Sequence, residues 1–150
     1  MNLFDQISED IKKAMLARDK VRLEALRGVK KEFLEAKTAK GAGGELTDET
    51  ATKILVKMAK QRKESAAIYA DNNRPELAEN ELAEARVIEE YLPKQLTEEE
   101  LTAELKKIIA EVGAEGPKDM GKVMGAASKA LAGKAEGRAI SAKVKELLGN

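Results

Sequence analysis

Apolar residues recur every three or four positions along almost the whole chain, and this spacing limits the folds that are open to it. Leu3, Ile7, Ile11 and Met15 follow one another at intervals of four residues, which places them on one face of a helix. The commonest residues, Ala, Leu, Glu and Lys, all favour helices. No segment shows the alternating pattern of a half-buried strand. The sequence therefore predicts an all-α protein.

Capping residues and helix breakers divide the first 93 residues into about four helices. We expect these helices at 3–17, 20–37, 48–71 and 75–92. Asn2, Asp19 and Thr47 are suited to cap the first three, and Pro75 to the first position of the fourth. The buried stripes of the first two helices are expected to end with Met15 and Leu34.

A second group of helices follows Pro93, which ends the fourth helix. Thr97 and Glu100 have the spacing of a capping box and open a helix that ends before Gly113. Two further helices are expected at about 119–131 and 138–148. We therefore predict an N-terminal helical domain of residues 1–93 and a small three-helix C-terminal domain of residues 94–150.

The residue types that are missing exclude several kinds of chemistry. The chain has no Cys, His or Trp, and only 3% of its residues are aromatic. Thiolate nucleophiles, disulfides and imidazole bases are therefore excluded. We expect no metal and no cofactor. No apolar run is long enough to span a membrane and no signal peptide is recognisable, which predicts a cytoplasmic protein without a membrane partner.

Catalytic candidates are few. Ser65 lies near Lys63, and Ser128 precedes Lys129, and a Ser–Lys pair can in principle supply a nucleophile and its base. Neither serine lies in a loop motif, and adjacent helical residues point in different directions. We therefore expect no catalytic residues and no catalysis by this chain alone.

Charge is distributed unevenly along a chain whose net charge is zero. Residues 74–112 carry 5 basic and 11 acidic side chains, whereas residues 113–150 carry 7 basic and 4 acidic ones. The basic candidates for nucleic-acid binding in this last segment are Lys118, Lys122, Lys129, Lys134, Arg138 and Lys143. Lys134 and Arg138 flank a helix N-terminus, whose backbone N–H groups suit a phosphate. The alternative is an ordinary solvated charged face.

Glycines and a second basic stripe each allow two interpretations. Gly121 and Gly125 lie one turn apart and could admit a nucleic-acid backbone, but close packing of two helices is the favoured explanation. The third helix carries basic residues in a row, for which ionic contacts with the acidic fourth helix are favoured over contacts with RNA. These residues are Lys53, Lys57, Lys60, Arg62 and Lys63.

Four sequence strings, in order, resemble the GatB/YqeY family. They are KQRKES at 60–65, EYLPKQL at 90–96, KDMGKVMG at 118–125, and GKAEGR at 133–138 followed by VKELL. The resemblance covers essentially the whole chain. It implies an N-terminal helical domain followed by a three-helix domain that is similar to the tail of the B subunit of tRNA-dependent amidotransferases. Glu136 departs from the Asp that the family pattern would have there.

The resemblance implies a function connected with tRNA. In the amidotransferase the tail resembles a tRNA-handling appendage, while transamidation is carried out by other portions of the enzyme. We therefore expect a tRNA-binding or tRNA-associated adaptor, with an amidotransferase or a tRNA-synthetase-type protein as its partner. Two alternatives stay open: an accessory to a carbon–nitrogen ligase that uses glutamine as amido-N-donor, and a helical protein–protein interaction module using the acidic fourth helix.

Overall fold

The part of the chain that the computed structural model describes, residues 2–149, is built from helices. The α-helices are α1 (Leu3–Ala17), α2 (Lys20–Thr38), α3 (Asp48–Asp71), α4 (Pro75–Glu89), α5 (Glu98–Val112), α6 (Met120–Ala130) and α7 (Gly137–Leu147). A 3-10 turn, Pro117–Asp119, leads into α6. No strand occurs in residues 2–149. The prediction of an all-α protein is therefore confirmed.

The predicted N-caps are in place. The side chains of Asn2, Asp19 and Thr47 each accept a hydrogen bond from the backbone N–H three residues later. Thr97 and Glu100 form the reciprocal bonds of a capping box, at 3.1 and 3.0 Å. These bonds satisfy N–H groups that have no partner inside the helix, so the helix starts are determined locally.

Two helix ends differ from the prediction. Helix α4 ends at Glu89 rather than near Leu92, because the N–H groups of residues 90–92 bond to carbonyls three residues back and tighten the chain into a turn. Helix α6 starts one residue later than Asp119. The Asp119 carboxylate instead accepts a 2.9 Å hydrogen bond from the backbone N–H of Glu115 and closes the preceding turn.

The chain divides into two compact units, of which the first ends at Leu92 and the second begins at Pro93. In unit 1, α3 and α4 form a helical hairpin, and α2 packs on both α1 and α4. Its most deeply buried large side chains are Phe33, Ile7, Leu26, Leu55 and Ile88. That residues 1–93 and 94–150 fold as independent domains stays a prediction.

In unit 2, α6 packs against both α5 and α7. Leu105, Val123, Leu131 and Val144 are fully or almost fully buried at its centre. The apolar faces read from the sequence of these helices thus meet in one small core. The opposite face of α6 remains exposed, and it carries two of the six basic candidates, Lys122 and Lys129.

Two expected core residues lie at the surface. Met15 is 52% exposed, because Ala14 takes the last buried position of α1 before the chain turns at Arg18. Leu34 is 44% exposed, because its neighbour Phe33 fills the core position of α2. Adjacent residues differ by about 100° around a helix, so only one of such a pair can face the core.

Candidate nucleic-acid interface

The candidate interface is built on the exposed side of α6. Val123 and Ala127 turn the other side of this helix into the core of unit 2. Lys122 and Lys129 are exposed and two turns apart on α6, and the exposed Lys118 lies one turn before Lys122, in the 3-10 turn. Residues four and seven apart share one face of a helix. Lys122 and Lys129 therefore share the exposed face of α6, and Lys118 lies just before this helix, in the 3-10 turn. We call these three exposed lysines the basic row.

Two glycines lie beside this row, and their surroundings overturn the packing explanation. A Cβ atom added at Gly121 or Gly125 would meet no heavy atom within 4 Å. Both residues are exposed, so no second helix lies against them in the described chain. The expected close helix packing is therefore wrong: the glycines leave an open, side-chain-poor surface next to the basic row.

In the described part of the chain, the lysines of the basic row are not paired with a carboxylate at contact distance. Within residues 2–149, the side chains of Lys118, Lys122 and Lys129 form no ion pair. Asp119 is the acidic residue within this stretch, and a hydrogen bond from the Glu115 backbone, followed by the charges of Lys118 and Lys122, holds its pKa below the usual value. The lysine ammonium groups are thus available to an outside anion.

The loop between α6 and α7 places Lys134, and the first turn of α7 places Arg138. The Lys134 carbonyl accepts a 2.9 Å hydrogen bond from the Leu96 N–H, and the Gly133 carbonyl accepts one from the Gln95 side chain at 2.5 Å. These bonds fix the loop backbone. The Lys134 and Arg138 side chains are exposed and form no ion pair among the described residues. Glu136 is the N-cap of α7, which puts a carboxylate at the helix end where a phosphate was expected.

Lys143 is placed differently from the other five candidates. Its ammonium group lies 3.2 Å from a carboxylate oxygen of Glu98 and 3.2 Å from one of Glu146. Its side chain is 13% exposed. Hydrogen bonds to Glu146 and Glu98 raise its pKa. Lys143 therefore links α7 to the first turn of α5 and is not part of the basic row.

The basic stripe of α3 is largely used inside unit 1. Lys63 contacts Glu89 of α4 at 2.9 Å, and Arg62 approaches Glu84 of α4 at 3.9 Å. Those two contacts agree with the expected pairing to the acidic helix. Two other lysines pair within α3 itself, in Lys53–Glu49 and Lys60–Glu64.

A buried polar cluster in unit 1 escaped the sequence analysis. Asp10 is the buried charged residue among residues 2–149, at 8% exposure. The Tyr91 hydroxyl donates a 2.5 Å hydrogen bond to it, and the Gln6 amide lies 3.3 Å away. Arg22 bonds Glu90 at 2.7 Å and reaches the Tyr91 oxygen at 3.4 Å. The sequence signal was an Asp on the apolar side of α1, between Ile7 and Ala14.

The pKa values in this cluster reflect its burial and its hydrogen bonds. Burial pushes the pKa of Asp10 up, but the bonds from Tyr91 and Gln6 and the charges of Lys13 and Arg22 outweigh it, so the net pKa is lowered. Burial, reinforced by the bond to Asp10, raises the pKa of Tyr91. The cluster therefore holds a charged Asp10 and a neutral Tyr91 at neutral pH. It ties α1, α2 and the chain after α4 together.

Two further observations concern metal ions and membranes. In residues 2–149, no group of three or more acidic residues is placed to hold a metal ion. No helix in that range is both long enough and apolar enough to cross a membrane. The basic row faces outward, and Ser128, which precedes Lys129, is also exposed.

Comparison with known proteins gives one family. A family model described as Yqey-like protein matches residues 4–148. The protein "Altered inheritance of mitochondria protein 41, mitochondrial" of Lachancea thermotolerans is 29% identical over 113 residues, which is 74% of this chain and 60% of the relative. The protein of the same name from Clavispora lusitaniae is 30% identical over 114 residues, or 75% and 65%. The protein of that name from Pyrenophora tritici-repentis is 30% identical over 148 residues, 96% of this chain and 80% of the relative.

The relatives give information about the length of the matched region and about cellular location. The chain spans about 60% of the length of the first of these relatives. All of these relatives are named as mitochondrial proteins. The prediction of a cytoplasmic protein is therefore wrong by this comparison. That prediction rested on the absence of a signal peptide and of a membrane span, and neither feature separates the cytoplasm from an organelle matrix.

Proposed function

Because the chain belongs to the family of Yqey-like proteins, we propose that it is a tRNA-binding adaptor with no active site of its own. Unit 2 holds the tRNA through its sugar–phosphate backbone. The chemistry belongs to a partner enzyme, and a glutamine-dependent amidotransferase, which is a carbon–nitrogen ligase, is the partner that the resemblance implies. The proposal concerns the matched region, whatever further segments the relatives contain.

The observation that carries the proposal is the pairing of unused charge with open backbone on α6. Lys118, Lys122 and Lys129 form no ion pair within residues 2–149, and Gly121 and Gly125 leave the adjacent surface without side chains. An exposed Gly inside a helix costs about 1 kcal/mol relative to Ala. Packing against another helix does not offset that cost here. Close approach of a polyanion to the helix would offset it.

The residue types favour contact with phosphates over reading of bases. All four aromatic residues of the chain, Phe4, Phe33, Tyr69 and Tyr91, belong to unit 1. Unit 2 therefore has no side chain on which an unstacked base could stack. Lysines bind phosphates as point charges and carry no sequence information. We expect binding that depends strongly on salt and discriminates weakly among tRNAs.

A salt series tests the proposal. Filter binding of tRNA to the parent and to the triple variant Lys118→Ala, Lys122→Ala, Lys129→Ala gives the slope of log affinity against log salt. Each lost phosphate contact lowers the slope by about 0.7 to 0.9, so the triple variant should lose roughly two. The double variant Lys106→Ala, Lys107→Ala is the matched control, because both lysines are exposed on α5, away from the row.

Steric blocking supplies a second test that leaves every charge in place. Gly125→Leu adds a bulky side chain to the open surface, where a Cβ meets nothing within 4 Å, so we expect weaker tRNA binding without loss of stability. The proposal fails if the parent does not bind tRNA at low salt. It also fails if the triple variant binds with the affinity and slope of the parent.

A further inference from the structure

The exposed face of α2 in unit 1 is a second surface that the tRNA proposal does not use. A shallow, open depression of about 370 Å³, called the groove below, lies between side chains of this helix. The residues that line it are Arg27, Lys30, Lys31, Leu34, Glu35 and Thr38. Leu34, which the sequence pattern assigned to the core, is 44% exposed at this groove. Leu34 is the apolar residue of this lining, and charged side chains stand on both sides of it.

The charges of this groove are available to a partner. Lys31 forms no ion pair among residues 2–149, and Arg27 has a loose contact with Glu24, at 3.6 Å on the same helix. Lys30 forms no ion pair there either, but its ammonium group lies over the Phe4 ring, 6.0 Å from the ring centre. Other cations of α2 are already used: the Lys37 ammonium lies 4.1 Å from the centre of the Phe4 ring, and Arg22 pairs with Glu90. The groove therefore presents an excess of positive charge around an apolar centre.

Two features separate this surface from a nucleic-acid site. Leu34 offers nothing to a sugar–phosphate backbone, and the Glu35 carboxylate within the groove repels phosphates. Both features suit a peptide, because an apolar anchor can cover Leu34 and a basic residue can pair with Glu35. The acidic face of α4, the other candidate surface for a protein, is largely used internally, in pairs such as Glu79–Arg86 and Glu89–Lys63.

From this arrangement we propose that the groove on α2 binds an acidic amphipathic helix of a partner protein. The helix lays one apolar side chain on Leu34. Its carboxylates pair with Arg27 and Lys31, which lie four residues, or about one turn, apart. Complementary charge sets the orientation of the peptide, while the apolar contact with Leu34 supplies the burial.

Two synthetic peptides serve as probes for the full-length chain. Both are 15-residue amphipathic helices with Leu at the central anchor position, and they differ only in that one carries Glu and the other Lys at the flanking positions. Fluorescence anisotropy measures binding of each. We expect the acidic peptide to bind the parent, and the basic peptide not to bind.

Variants with matched controls locate the binding. Two variants should each weaken binding of the acidic peptide by roughly tenfold or more: Leu34→Ala and the double variant Arg27→Glu, Lys31→Glu. The double variant should also gain affinity for the basic peptide. Ile68→Ala and Lys12→Glu are the controls, because Ile68 is 60% exposed and Lys12 is exposed, and both lie outside the groove. Circular dichroism verifies that each variant is folded.

Several results overturn the proposal. The proposal is wrong if the acidic peptide does not bind the parent. It is also wrong if Leu34→Ala and Ile68→Ala bind the acidic peptide equally well. Loss of tRNA binding by the charge-reversed variant, without any binding of the acidic peptide, identifies the groove as a nucleic-acid surface instead. A dimer in analytical ultracentrifugation that Leu34→Ala dissociates, again without peptide binding, identifies it as a contact between two copies.

Discussion

Glycine plays opposite parts in the two units of this protein. In α2 of unit 1, a Cβ added at Gly28 would lie 3.1 Å from a guanidinium nitrogen of Arg62, so the small residue makes room for a neighbour. In α6 of unit 2, a Cβ added at Gly125 would meet nothing. The nearby charges follow the same division. Arg62 is directed at Glu84, whereas Lys122 and Lys129 form no ion pair within residues 2–149.

This contrast separates two uses of polar residues. In unit 1 they tie helices together, as in the cluster of Asp10, Tyr91 and Arg22. In unit 2, on α6, they contribute nothing visible to the fold. A surface that combines a helix-weakening residue with unpaired charge is explained by binding more readily than by stability.

The largest expected effect comes from breaking the cluster in unit 1. Tyr91→Phe removes the hydroxyl that donates to the buried Asp10 carboxylate. Leaving a buried acceptor short of a donor costs about 1 to 3 kcal/mol of unfolding free energy. Urea denaturation measures this loss. Lys122→Met is the comparison in unit 2, and an equal loss there would contradict the division between the two units.

Acid should weaken the same cluster. The fold lowers the pKa of Asp10 below its ordinary value of 3.8, so its stabilising contribution is present above pH 3.8 and is lost as the pH falls through and below that value. We expect the gap in unfolding free energy between the parent and Asp10→Asn to be widest near neutral pH and to shrink in acid. A gap that is constant from pH 7 to pH 3 would show that the native state does not favour the charged carboxylate.

Alanine substitutions at Gly28 and Gly125 test the contrast between the two units directly. Gly125→Ala should stabilise the protein by about 1 kcal/mol, because Ala has the higher helix propensity and the added methyl group points into open space. Gly28→Ala should gain less, since its methyl group displaces the Arg62 guanidinium. Thermal melting of the two variants decides the matter, and equal gains would mean that Arg62 moves aside without cost.

The smallest effect on stability is expected at Lys143. Its ion pairs with Glu98 and Glu146 involve two exposed carboxylates, and pairs of this kind contribute little because water and salt screen them. Lys143→Ala should therefore change the melting temperature only slightly. In filter binding, Lys143→Ala should also lower the slope of log tRNA affinity against log salt less than Lys122→Ala does. A larger decrease for Lys143→Ala would show that Lys143 belongs to the interface.

Much of the local structure follows from short stretches of sequence. The caps at Asn2, Asp19, Thr47 and Thr97 form as predicted, because an N-cap is satisfied by residues within one turn. The end of α4 did not follow from Pro93, since the tightening of residues 90–92 coincides with the hydrogen bonds of Glu90 and Tyr91 to distant helices.

The candidate site was predicted in part. The sequence named the lysines of α6 but did not separate Lys143 from the rest, because its partner Glu98 lies 45 residues away. The sequence analysis favoured packing at Gly121 and Gly125. The sequence could not distinguish packing from exposure, because a glycine pair one turn apart has the same spacing whether it faces a helix or water.

The sequence by itself determined the all-α class, the helix starts and most of the apolar faces, because periodicity and capping act over one or two turns of chain. Tertiary structure decided which charges pair between helices and which charges form no ion pair. Asp10 and Tyr91 meet across 81 residues, while Lys122 forms no ion pair within residues 2–149. Ion pairing and burial depend on which surfaces come together, and no local pattern records that.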